Sequence, residues 1–317
     1  MSRQQKLQAD IDREVNQKTS DLIMLTEGQL FTLGIQCSSL DHSSIAWILR
    51  AQKGTLEKFQ VLLPKASHET SLGLVALSRN LFENLVWLKL FNADPCYGIA
   101  FYQDLLNQQE QSHNQAINQA RKEIAWFREL DKDDDLDLVA VDELIERLDS
   151  LTEEEQSLLN SKMHSTSAAL DERADRQFSV YGEQAKSNGY GFQAHLIEKQ
   201  VLPHHEQRLG TIRRHRTELE AALPSLLTSA QIDMISQRWN WKKKACEVGM
   251  LDQYEFVYSF TSKLLHSGGI NLITEKELSA GERDILLNYV RVANVHAHDE
   301  IERFTYPGQL LVRAVST

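Results

Sequence analysis

The sequence predicts an all-α fold, and three observations carry that reading. Prolines are few, five in 317 residues, and each stands where a helical pattern stops or restarts. Runs of β-branched residues alternating with period two are nearly absent. Long stretches instead repeat apolar residues at spacings of three and four, the period of one helix face.

The elements follow in order. A first helix is expected over about 4–34 and a second over about 42–62, ending before Pro64. The third, about 67–92, carries Leu72, Val75, Leu77, Leu81, Phe82, Leu85, Leu88 and Phe91 and stops before Asp94-Pro95. A fourth covers about 96–130, and its polar middle from Gln108 to Gln119 reads as an exposed arm. The acidic run Asp131–Asp137 reads as a loop, followed by a long helix from about 139 to 186. Asn188-Gly189-Tyr190-Gly191 supplies two glycines suited to a left-handed cap. A helix over about 192–222 is expected to break near Pro203, and Thr228 or Ser229 caps the next, to about 247. The last two cover 251–266 and about 280–304, with Ser279 and Glu282 spaced as a capping box.

The organisation this implies is a helical bundle with a long helical insertion or arm. Residues 1–95 form the N-terminal core helices, 96–225 the insertion, and 226–317 the C-terminal core helices that complete the bundle. The alternative is that the middle is simply more bundle. No apolar run reaches the ~18–20 residues that span a bilayer, and Met1–Asp10 lacks the apolar core of a secretory signal. Cys37, Cys96 and Cys246 lie far apart and read as reduced thiols, so the expected location is the cytoplasm. The net charge of −11 opposes broad binding to a phosphate backbone. Basic knots nevertheless occur at Arg208 to Arg216 and at Arg238 to Lys244. No phosphate-binding glycine loop, serine-hydrolase motif or zinc-protease motif is present.

The residues that point to chemistry are a stripe. Tyr254, Tyr258, Ser262 and His266 stand four apart and share one broad helical face, all four able to hydrogen-bond. The following Ser267-Gly268-Gly269 puts His266 in a last turn, where the helix terminus favours the imidazolium. On the third helix, Arg79 and Glu83 interrupt the face of Leu72, Val75, Val86 and Leu90. Opposite charges inside an apolar stripe are costly unless paired. They can pair with each other and turn their remaining donors and acceptors to the tyrosine–serine–histidine stripe. Two readings stay open: a composite site, with arginine on a phosphate and histidine as acid or base, or a buried polar network that fixes helix register.

At these residues the chain resembles a known family. Ser78-Arg79-Asn80-Leu81-Phe82-Glu83-Asn84-Leu85, with Tyr254-x3-Tyr258-x3-Ser262-x3-His266-Ser267, resembles an all-helical prokaryotic family of unknown function grouped near the HEPN superfamily (higher eukaryote and prokaryote nucleotide-binding). The resemblance covers 67–92 and 238–270 and is silent on 96–225. It implies a HEPN-like protein acting on or binding RNA or a nucleotide, in stress or phage defence. Many HEPN proteins are toxin-like, metal-independent endoribonucleases that build the site at a homodimer interface from a closely spaced arginine and histidine. Here no arginine stands four to six residues before His266. That spacing occurs at Arg291-x4-His296, Arg291-x6-His298 and Arg208-x6-His215, at about the frequency chance gives eleven histidines.

The candidate catalytic set is therefore Arg79, Glu83, Tyr258, Ser262 and His266, with Tyr254, Arg238 and Lys242 as substrate-binding residues. No metal and no cofactor is expected. The segment Arg238-Trp239-Asn240-Trp241-Lys242-Lys243-Lys244 interleaves aromatics and cations as single-strand binders do, but Trp239 with Ile232, Ile235 and Cys246 also fits a buried helical face. His296, His298, Asp299, Glu300 and Glu302 read as a charged exposed face rather than a metal site. A non-enzymatic interaction module, with the arm holding a protein partner, is the alternative function.

Overall fold

A computed structural model describes residues 3–36, 42–145, 152–265 and 277–304; the side chains of 3–12, 133–145 and 263–265 lie outside that description. Within these residues the chain is α-helical with no β-strand. The helices are α1 Arg3–Gln36, α2 Ser44–Leu62, α3 Ser71–Ala93, α4 Tyr97–Ile145, α5 Glu153–Asp175, α6 Gly182–Asn188, α7 Tyr190–Leu196, α8 Leu202–Leu226, α9 Ser229–Ser236, α10 Trp241–Glu247, α11 Leu251–Gln253, α12 Ser259–Leu265 and α13 Ala280–Arg303. None is long and apolar enough to cross a membrane. The chain divides into two compact units, one of residues 1–104 with 219–317 and one of 105–218.

In the first unit α3 is the central element. Thr70 caps it, accepting from the Gly73 N–H at 3.1 Å. Asp94, extended before Pro95, ends it. It is buried nearly all round, with Leu74, Leu81, Phe82, Leu85, Val86, Leu88 and Phe91 sealed from solvent. A helix apolar on every side must be surrounded, and α3 packs against α13, α12, α10 and α2. Leu72 departs from its expected face and is exposed. Helix α4 approaches α2 at Gly98, where a Cβ would collide with the Ser44 carbonyl oxygen. Ser279 and Glu282 form the capping box of α13, and Thr228 with Gln231 forms that of α9.

The second unit has its own apolar cluster, built from Ala120, Ile124, Phe127 and Leu130 of α4 with Leu170, Ala174, Ala185, Tyr190, Ala194 and Ile197. Glu123 is buried there and organises the turn before α6. Its carboxylate accepts from Ser179 Oγ at 2.7 Å, Val180 N at 2.8 Å and Tyr181 N at 3.1 Å. A buried carboxylate with this many donors is compensated for lost hydration.

Several helix boundaries differ from the sequence reading, and Pro224, expected between helices, lies inside α8. The acidic run 131–137 is helical, because α4 meets neither glycine nor proline between 99 and 145, and aspartate disfavours a helix only weakly. The expected helix over 139–186 is interrupted: α5 begins at a Thr152 capping box and ends at Asp175. Gly189 does adopt the left-handed φ of +87°, but Gly191 lies inside α7, where its N–H donates to Asp131 Oδ1 at 2.9 Å and a side chain would strike that carboxylate. Pro203 does not break the helix. The π-helical turn Ile197–Val201 precedes it and absorbs its missing N–H.

Candidate functional site

The stripe lies on a second π-helical turn. Residues Tyr254–Tyr258 follow α11 directly and run into α12, with the Ser259 N–H bonded to the Tyr254 carbonyl five residues back. Bonding from i to i+5 widens the turn and brings residues four apart closer to alignment than an α-helix does. The Tyr254 and Tyr258 rings accordingly stack, 4.9 Å between centroids and 17° between planes. Phe82 of α3 supports both, at 6.2 Å from Tyr254 and 5.6 Å from Tyr258.

Arg79 reaches this turn from α3. Its Nε donates to Glu83 Oε1 at 3.0 Å, Nη1 to Ser262 Oγ at 3.3 Å, and Nη2 to the Tyr258 hydroxyl at 3.0 Å. The guanidinium carbon also lies 4.6 Å from the Tyr258 ring centroid, a cation–π arrangement. The structure thus brings together Arg79, Glu83, Tyr254, Tyr258 and Ser262. The Arg79 and Glu83 side chains keep 25% and 27% of their surface in solvent. Burial pushes the Tyr258 hydroxyl pKa up; the Arg79 charge opposes this, and Glu83 and Tyr254 reinforce it. Tyr258 is therefore a neutral phenol at pH 7, accepting from Arg79 and keeping its own proton to donate. His266 lies outside the described residues, as does the Ser267-Gly268-Gly269 terminus.

The basic–aromatic segment is rearranged. It is not one continuous helix to 247: Gln237 is extended, and the Asn240 side chain caps a new helix by accepting from Lys243 N. Trp239 stacks on Trp87 at 4.2 Å, and Trp241 lies 6.3 Å from Tyr258. Lys244 is buried, donating to the Tyr97 hydroxyl at 2.8 Å and to Glu247 Oε2 at 2.9 Å. Trp239 thus packs inside, as the buried-face reading has it, whereas Lys244 is buried and not on a solvated face. Cys246, expected on the buried face, is exposed. Arg238 is exposed, and Lys242 pairs with Glu255 at 3.2 Å. Sequence reasoning missed Phe82 as the support of the tyrosines; its place between Arg79 and Glu83 was the available signal.

Of the charged face expected over 296–302, Glu302 is exposed, but His298 and Glu300 are not. His298 is buried, with Nε2 3.0 Å from Thr19 Oγ1. The Thr19 hydroxyl donates to the Val15 carbonyl, so it can only accept from the imidazole, which fixes the proton on Nε2. Burial holds the His298 pKa down, and Lys18 adds to this. Glu300 is buried too and takes Lys89 Nζ at 2.9 Å and Asn92 Nδ2 at 2.8 Å. Arg291 is exposed, and His298 is turned to Thr19. No group of three or more metal-ligating side chains occurs among the described residues.

No protein family, curated protein or solved structure matches the chain.

Proposed function

We propose that this is a HEPN-like protein that acts on RNA or a nucleotide, with Arg79 as its phosphate-holding group. One observation carries the reading: the guanidinium is pinned by its own helix and by the stripe, yet a quarter of the side chain remains open to solvent. An arginine has five N–H donors, and three are engaged among the described residues. The rest can meet a phosphate in a fixed orientation, which lowers the ordering cost of binding. Tyr258 supplies a second neutral donor, and Ser262 and Glu83 hold the arginine in place. In this reading His266 moves the proton in a metal-independent cleavage, and Arg238 and Lys242 meet the flanking backbone. The protein then works in the cytoplasm as a homodimer, in stress or phage defence.

A second reading is favoured by the same bonds. Glu83 neutralises Arg79, and Tyr258 and Ser262 already occupy it, as a structural strut requires. In that case the protein is a non-enzymatic interaction module and the cluster sets the register of α3 against α12.

Incubation of the protein with total RNA in chelator, compared with Arg79→Ala and His266→Ala, separates them. The proposal expects RNA retention and cleavage by the wild type, retention without cleavage in His266→Ala, and loss of both in Arg79→Ala. Loss of stability in Arg79→Ala with no RNA bound by any form establishes the strut. Cleavage unchanged by both substitutions moves the chemistry elsewhere.

A further inference from the structure

The second unit holds a histidine pair that none of this uses. His113 on α4 and His205 on α8 point Nδ1 at Nδ1 across 2.9 Å, and the rings are 5.2 Å apart. Both side chains are partly buried. A nitrogen–nitrogen contact this short needs one N–H and one lone pair. Two neutral rings meet that need. One protonated and one neutral ring meet it better, since the bond is then charge-assisted. Two protonated rings cannot meet it: both Nδ1 atoms carry hydrogen and the two charges repel.

The surroundings do not relieve that repulsion. Burial holds the His205 pKa below the ordinary value, and the charges of His113 and His204, both positive when protonated, add to this. The nearby carboxylates are engaged elsewhere. Glu206 pairs with Arg121 at 2.8 Å, and Glu110 pairs with Arg213 at 3.0 Å and with Arg216. Around this contact α4 and α8 are joined largely by polar side chains. The unit's apolar cluster begins at Ala120 on α4 and reaches no further than Leu202 on α8, leaving Leu106, Ile117, Leu209 and Ile212 as the buried apolar residues near the histidines. A local repulsion here acts on the weakly cemented end of the helix pair.

We propose that the His113–His205 contact is a proton-operated latch, which holds α4 against α8 while at most one of the two rings is protonated and releases them when both are. The released state binds a proton that the latched state refuses. Opening is therefore favoured as the pH falls below the ordinary imidazole value, by up to about tenfold per pH unit for one proton.

Hydrogen exchange of the full chain tests this, run from pH 7.5 to 5.5 in chelator and corrected for the intrinsic rate. Protection over 107–117 and 205–216 is expected to fall several-fold in the wild type. The fall should vanish in His113→Gln and in His205→Gln, which keep hydrogen-bonding capacity without titrating. A pH response that persists in either variant, or that is absent from the wild type, overturns the latch. Should a variant fail to fold, nitrogen-15 spectra of the wild-type imidazoles decide. Two separated proton uptakes support the shared bond, and two rings titrating independently near the free value overturn it.

Discussion

Helix α3 carries two polar clusters built from similar groups, and they are finished differently. Toward its middle, Arg79 and Glu83 meet Tyr258 and Ser262, and both charged side chains keep about a quarter of their surface in water (25% and 27%). Toward its end, Lys89 and Asn92 converge on Glu300 of α13, whose side chain is only 7% exposed. Beyond it His298 is sealed against Thr19 of α1. The closed cluster spends its donors and acceptors internally, as a strut between helices must. The open one holds a cation fixed and still reachable, which is the requirement for receiving an anion. The carboxylates separate the two, 27% exposed at Glu83 and 7% at Glu300; the cations Arg79 and Lys89 are equally exposed at 25%, and what Arg79 adds is a planar guanidinium with donors to spare.

The largest effect is expected at the closed cluster. Glu300→Ala removes a buried carboxylate and leaves half-buried Lys89 and Asn92 without their shared partner, and should cost about 3 kcal/mol in urea unfolding. It should leave RNA binding unchanged. Arg79→Ala should invert this, costing about 1–2 kcal/mol of stability while weakening RNA binding by about tenfold or more, or ~1.4 kcal/mol. A stability loss at Arg79 equal to that at Glu300 would erase the contrast.

His298 sharpens it through pH. Its folded pKa lies below the free value of 6.5. The unfolded ring therefore takes up a proton first, and the stability tied to the neutral ring is complete above pH 6.5 and lost as the pH falls below it. Lys18 opposes protonation of the folded ring, and Asp299 and Glu302 favour it. Thermal unfolding between pH 7.5 and 5.5 should fall for the wild type and fall less steeply for His298→Gln. The smallest effect is expected from Ser262→Ala, which removes one long bond to a half-open arginine. A loss of about 0.5–1 kcal/mol is expected by urea unfolding.

Local features were legible in the sequence and long-range burial was not. The Ser279–Glu282 capping box depends on residues three apart. The alignment of Arg79 with Glu83, and of Tyr254 with Tyr258, depends on spacings of four. All of these are set within a turn or two of helix. Which side chain on another helix they would meet was inferred from chemistry alone, as two unsatisfied stripes. The misreadings share one cause. His298 and Glu300 looked like a solvated face because the buried stripe of α13 is wide, taking in Asn294, Ala297, His298, Glu300 and Ile301. Lys244 looked solvated because Tyr97, which takes its ammonium together with nearby Glu247, is distant in sequence. Neither π-helical turn could be read from propensity. The one before Pro203 follows from the missing N–H, and the one under the tyrosines has no local residue that demands it.

The contrast between the two clusters can be measured on a single helix. Fluorescence anisotropy with a labelled single-stranded RNA, at fixed salt and in chelator, compares wild type with Arg79→Ala and Lys89→Ala. Each variant removes one partly exposed cation from α3, with side-chain exposures of 25% in both cases. The open site predicts that Arg79→Ala weakens binding by about tenfold or more and that Lys89→Ala leaves it unchanged. Equal loss in both variants, or binding indifferent to Arg79, would contradict it.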